Sequence, residues 1–112
     1  MLVDELLLNI SDLNGIKIGI EGIFVMRESV GYFVANRGEI ENFEKAIYVE
    51  VTDLKKVLLS KVPAFGGGFY SYCNDAAAVG IVKEVMDKDF RGVLINIEQM
   101  EIYVSGEKFT VI

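Results

Sequence analysis

Apolar and polar residues alternate most regularly over residues 16–27, IKIGIEGIFVMR, where Ile16, Ile18 and Ile20 oppose Lys17, Gly19 and Glu21. A period of two marks a strand with one buried face, and glycines within it mark places where a long strand bends. Residues 30–35 (VGYFVA) follow a tight Glu28-Ser29 turn and read as the returning strand of a hairpin. Residues 45–51 (KAIYVEV) give the clearest short alternation, with Ile47, Val49 and Val51 on one face and Ala46, Tyr48 and Glu50 on the other. The period then lengthens. Thr52-Asp53 has N-cap character, and Leu54, Val57 and Leu58 stripe a helix over 54–61 that Pro63 brings to a stop. Residues 75–85 and 93–104 return to strand character, with Gly80 inside the first, and 109–112 read as a tail strand. Ahead of everything, Val3, Leu6, Leu7 and Ile10 space a short helix over 3–10, which Asn14-Gly15 separates from the first strand.

The expected organisation is one domain over 1–112: an N-terminal helix at 3–10, a barrel at 16–104 and a tail strand at 109–112. A long strand that bends at Gly22 belongs to two sheets at once, which is how a small barrel closes. The order strand, strand, strand, helix, strand, strand resembles the OB-fold, a five-stranded Greek-key barrel with its helix between strands three and four. The pieces that carry the resemblance are IKIGIEGIFV, VGYFV, KAIYVEV, DLKKVLLSK, AAAVGIVKEV and VLINIEQMEIYV, together with the glycine placement. The lead-in LLLNISDLNGIKIGIEG is also similar to that of small bacterial OB-type domains. The fold class expected is therefore mainly β with one or two short helices. Such barrels bind single-stranded nucleic acid, oligosaccharide or protein, so the resemblance implies binding rather than a particular ligand.

Charge narrows the ligand. Eleven basic and seventeen acidic residues leave a net charge of −6, which repels phosphate backbones unless the cations cluster. Nucleic acid is thereby disfavoured, and a protein partner or a second copy of the chain becomes the leading expectation. An acidic module that neutralises a basic protein is an alternative on charge complementarity. Single-stranded nucleic acid across strands two and three is another. The aromatic residues expected to make the contact are Tyr32, Tyr48, Phe65, Phe69, Tyr70 and Tyr72, several of them in an expected glycine-rich loop over 64–74, AFGGGFYSYCN. Tyr48 shares a strand face with Glu50 and is the ring most expected to be exposed.

Catalytic chemistry is hard to assemble. The chain has no histidine, the usual acid–base group near neutral pH and the commonest metal ligand. Cys73 and the serines thus lack their usual activating base, and no enzyme activity, cofactor or metal is expected. Residues 87–98, DKDFRGVLINIE, match a calcium-loop template with Asp87, Asp89, Gly92 and Glu98 in place. Arg91 stands where an oxygen ligand belongs and the flanks are β-branched, so a charged hairpin turn is the expectation. GGG at 66–68 lacks the Lys-Ser/Thr of a phosphate loop. The acidic N-terminus does not read as a signal peptide, no apolar run reaches bilayer length, and a lone cysteine suits a reducing compartment, so a cytoplasmic, membrane-free setting is expected.

Overall fold

In a computed structural model that describes residues 1–64, 70–85 and 89–112, the chain forms a closed barrel. Five strands make the ring: β1 (Lys17–Arg27), β2 (Val30–Val34), β3 (Ile47–Val49), β4 (Tyr70–Glu84) and β5 (Gly92–Val104). The ring runs β1-β2-β3-β5-β4 and returns to β1. All pairings are antiparallel except the one that seals it, where β3 lies parallel to β5 with Tyr48 opposite Val93. A helix, α3 (Leu54–Lys61), connects β3 to β4. This is the OB-like strand order expected from the sequence, with β6 (Glu107–Thr110) added outside the ring against β5.

β1 changes partners where the bend is expected. It pairs with β4 along its whole length, but β2 joins it only from Ile23 onward. Before that point the N-terminus runs beside it, with the Glu21 amide donating to the Met1 carbonyl at 3.0 Å. The hand-over falls at Gly22, where a Cβ would sit 2.7 Å from the Val34 carbonyl oxygen and 2.8 Å from Val3 Cγ2. Only a residue without a side chain lets the two backbones approach that closely. A register shift marks the other expected position, Gly80. The register jumps from Val79↔Gln99 to Ile81↔Ile95, so residues 96–98 of β5 bulge opposite one glycine, with Asn96 at φ 49°. A Cβ on Gly80 would meet the Ile95 carbonyl oxygen at 2.8 Å.

Inward-facing residues of every strand fill the barrel: Ile18, Ile20, Phe24 and Met26 of β1, Phe33 of β2, Ile47 and Val49 of β3, Ala76, Ala78 and Val82 of β4, Leu94, Met100 and Ile102 of β5. Leu54, Leu58 and Val62 close the core from α3, and Val3, Leu6 and Ile10 from the N-terminal helices. Beyond β6 the chain end returns to the core, where Val111 is buried and donates its amide to the Met100 carbonyl at 2.8 Å, while the Met100 amide donates to the Ile112 carbonyl at 3.3 Å.

Several boundaries differ from expectation. The N-terminal helix is two, α1 (Val3–Leu8) and α2 (Ile10–Leu13), because Asn9 donates its side-chain amide to the Glu5 carbonyl at 2.9 Å and ends the first. Asp53 stands at the N-cap of α3, but in a left-handed conformation (φ 57°) that makes no side-chain cap bond. β3 is only three residues long, since a 3-10 turn occupies Phe43–Lys45 ahead of it. β4 begins five residues earlier than expected, so Tyr70 to Asn74 belong to a strand and not to a loop.

Candidate functional site

Outward-facing residues of the ring ought to meet water, yet a second buried cluster forms there from Ile23, Val25, Tyr32, Val34 and Ala46. The cause is the segment 36–45, whose acidic sequence predicts a solvated loop. It instead folds as a strap of two 3-10 turns, Arg37–Glu39 and Phe43–Lys45. Local polar contacts shape the strap: Asn36 Oδ1 accepts from the Gly38 amide at 2.9 Å, and Glu39 takes Asn42 Nδ2 at 3.2 Å and Lys45 Nζ at 3.7 Å. Its two apolar residues, Ile40 and Phe43, turn down onto the sheet. The Tyr32 hydroxyl donates to the Ile40 carbonyl, and Arg37 Nη2 reaches the Cys73 carbonyl at 3.3 Å.

Cross-strand register then gathers aromatic rings at one edge of this cluster. Val25 faces Tyr32, and Tyr32 faces Tyr48. Phe90, from the connection between β4 and β5, lies over them: its ring centroid is 5.1 Å from Phe43 in a near-parallel stack, 5.3 Å from Tyr48 and 5.7 Å from Tyr32. Phe43 meets Tyr32 edge-on at 5.3 Å. Offset and edge-on pairs at these spacings add roughly 0.5–1.5 kcal/mol each beyond simple burial. Beside the rings opens a cleft of 310 Å3 lined by Arg27, Glu28, Val30, Tyr32, Phe43, Asp89 and Phe90. Its floor is aromatic and its rim is charged, with two carboxylates against one guanidinium.

Burial pushes the Tyr32 hydroxyl up to about 12, with smaller contributions from Tyr70, Cys73 and Glu41 that the Arg27 charge offsets in part. Tyr70 is also raised, by desolvation and by the Glu41 carboxylate, to which its hydroxyl donates at 3.4 Å. Both phenols are therefore neutral hydrogen-bond donors at neutral pH.

The six rings expected from the sequence divide. Tyr48, against Phe90, and Tyr70, against Glu41 of the strap, are half-buried, so both retain surface. Tyr32 is 0 % exposed because Phe43, Phe90 and Ile40 cover it, and it serves as the floor of the cleft rather than an open stacking surface. Tyr72 is 2 % exposed and faces into the barrel, where its hydroxyl donates to the Val62 carbonyl at 2.7 Å; it offers a partner nothing. Phe65 and Phe69 lie outside the described residues. Two rings of the site, Phe43 and Phe90, were not expected. Each is a single aromatic in a charged run, ENFEK and DKDFRG, and that isolation is the signal that marks them.

Other candidate chemistry finds structural employment. Ser60 donates to the Val57 carbonyl at 2.7 Å and Ser11 to Glu84 at 2.9 Å. Glu98, last ligand of the calcium template, pairs with Lys17 at 2.6 Å on an exposed strand, and Asp87 lies outside the described residues. Among the described residues, no three Cys, Asp or Glu side chains converge in a way that could hold a metal ion. No helix among them is long and apolar enough to cross a membrane. Fold and cleft together define a small ring-closed β-barrel with an aromatic cleft beside its strap. No protein-family model, curated protein or solved structure matches the chain.

Proposed function

We propose that this chain is an OB-type binding module, non-enzymatic, that recognises a protein partner at the aromatic cleft. The observation that carries the reading is the grouping of Tyr32, Phe43 and Phe90 from three separate stretches of chain around a 310 Å3 recess rimmed by Arg27, Glu28 and Asp89, with Tyr48 packed against Phe90. Rigid aromatic anchors inside a charged rim are the composition of protein-contact hot spots. The face across strands two and three, on which a single-strand binder stacks its bases, is occupied by the strap through Ile40 and Phe43. That occupancy and the net charge of −6 favour a protein over a nucleic acid. A reducing compartment such as the cytoplasm suits the free Cys73 thiol.

The test is affinity capture with the chain and with a Tyr48→Ala/Phe90→Ala variant of unchanged circular dichroism. The reading expects a protein retained by the parent to be lost from the variant. Equal retention by both removes the cleft from the interaction. Retention of an oligonucleotide whose binding falls steeply with salt replaces the reading with nucleic-acid binding.

A further inference from the structure

Two helices of the chain share one spacing with opposite charge. In α1, Asp4 and Glu5 precede Leu8 by four and three residues; in α3, Lys55 and Lys56 precede Leu59 by the same intervals. Residues three and four apart lie on one helix face, so each helix sets a leucine beside two like charges. Both faces meet solvent. Leu8 is 86 % exposed and Leu59 54 %, the two most exposed large apolar side chains among the described residues. The opposite faces are fixed in the core, through Val3 and Leu6 of α1 and through Leu54 and Leu58 of α3. Each leucine also borders a recess, of 700 Å3 beside Leu8 and 520 Å3 beside Leu59.

The charges around the two leucines differ in sign once their partners are counted. Around Leu8 stand Asp4, Glu5 and Glu44, with Lys45 and Arg91. Lys45 is paired with Glu39 at 3.7 Å, Glu5 accepts the Leu2 amide at 3.2 Å, and the Met1 ammonium is turned to the Gly19 carbonyl at 3.0 Å. Three carboxylates therefore remain against the Arg91 guanidinium. Around Leu59 stand Lys55 and Lys56 against Asp53, and among the described residues neither lysine makes an ion pair. Lys61, the third cation of α3, donates to the Val111 carbonyl at 3.0 Å. Residues 54–61 contain no acid at all, in a chain of net charge −6.

We propose that α3 of one copy docks on α1 of a second copy, with Leu59 against Leu8 and Lys55 and Lys56 beside Asp4 and Glu5. The matched spacing brings leucine to leucine and cation to carboxylate together only when the two helices run in the same direction, which fixes their orientation. Complementary charge at contact favours this pairing over α1 on α1 or α3 on α3, where like charges would meet. Repulsion between two chains of −6 is screened at physiological ionic strength, where charges are felt over only about 8 Å. Helices of six and eight residues bury little surface, so the contact is weak and forms near millimolar chain concentration. At the micromolar concentrations of partner capture or crosslinking, α3 stays uncovered. Neither recess shares a lining residue with the aromatic cleft, so the inference stands without that reading.

The test follows amide chemical shifts of the isotope-labelled full chain as it is diluted from near-millimolar to micromolar concentration at constant salt. The expected result is a concentration-dependent shift at Asp4, Glu5 and Leu8 together with Lys55, Lys56 and Leu59. Lys55→Glu/Lys56→Glu weakens the association by about tenfold or more. Asp4→Lys/Glu5→Gln, which keeps an acceptor for the Leu2 amide, does the same. Mixed in equal amounts, the two variants associate again, because the first retains the parent α1 and the second the parent α3. Leu8→Ser and Leu59→Ser each weaken association with thermal melting unchanged, and Tyr48→Ala/Phe90→Ala leaves it intact. A chain monomeric at every concentration, indifference to the charge substitutions, variants that stay apart when mixed, or shifts centred on Tyr48 and Phe90 would each overturn the proposal. So would a monomeric chain held on phosphatidylserine vesicles through Lys55 and Lys56, which gives α3 to a membrane surface instead.

Discussion

Gly22→Ala tests the bend that lets one strand serve both sides of the barrel. The added methyl group would lie 2.7 Å from the Val34 carbonyl oxygen and 2.8 Å from Val3 Cγ2. The second contact is with a side-chain end and can be relieved by rotation. The first is with backbone and cannot, so β1 and β2 must separate at the point where their pairing begins. Overpacking of this kind costs about 1–3 kcal/mol. Restricting the unfolded chain returns about 0.4–1 kcal/mol. The net expectation is a loss of roughly 1–2 kcal/mol, which for a domain of this size lowers the melting temperature by about 4–8 °C. Gly19→Ala on the same strand is the control, because its nearest contacts are Val79 Cγ2 at 3.8 Å and the Ala78 carbonyl oxygen at 4.0 Å. It should be neutral or slightly stabilising. Urea unfolding of the parent, both single variants and Gly22→Ala/Val3→Ala measures the set. If the carbonyl contact dominates, the Val3 truncation rescues nothing. A Gly22→Ala chain as stable as the parent, or a Gly19→Ala chain that loses more, refutes the reasoning.

Other expectations follow from single contacts. Tyr32 has a folded-state pKa of about 12 against an ordinary value of 10.0, so the stability it contributes is complete below pH 10 and is lost as the pH rises toward 12. Burial raises Tyr72 as well, so alkaline titration followed by tyrosinate absorbance should show both buried phenols ionising late, and Tyr32→Phe should shrink that late step by one phenol without removing it. Tyr72→Phe leaves the Val62 carbonyl without the hydroxyl that reaches it at 2.7 Å, and should cost about 1 kcal/mol in urea unfolding without affecting partner capture. Gly106→Ala places a side chain at φ +80°, in the β5–β6 turn, and should cost about 1 kcal/mol although nothing lies within 4 Å of the new methyl. Thermal melts decide between strain and packing there, since a packing account predicts no change.

The elements that depend on local periodicity were legible. The stripe Leu54, Val57 and Leu58 placed α3 at its observed bounds, and alternation placed β1, β2 and β5 within a residue or two. The two interior glycines were legible as bends because nothing else in a strand signals close backbone approach. What could not be read was burial caused by distant chain. Tyr32 alternates as an outward residue and is outward, yet the strap seals it from water. The strap itself reads as solvated because Ile40 and Phe43 are scattered among acids, and only contact with Tyr32 makes them core. Phe90 joins the site through ring contacts to residues on β2 and β3 that no local pattern reveals. Tyr70 to Asn74 read as loop since the glycines before them suggested one, whereas pairing with Arg27 to Phe24 of β1 makes them strand.

Site-specific photo-crosslinking tests the central claim most directly. A benzophenone side chain replaces Phe90, and in a control chain it replaces Lys56 on the exposed face of α3. The account predicts a discrete protein adduct from position 90 and none from position 56. An adduct from position 56 alone, or nucleic acid captured at position 90, would contradict it.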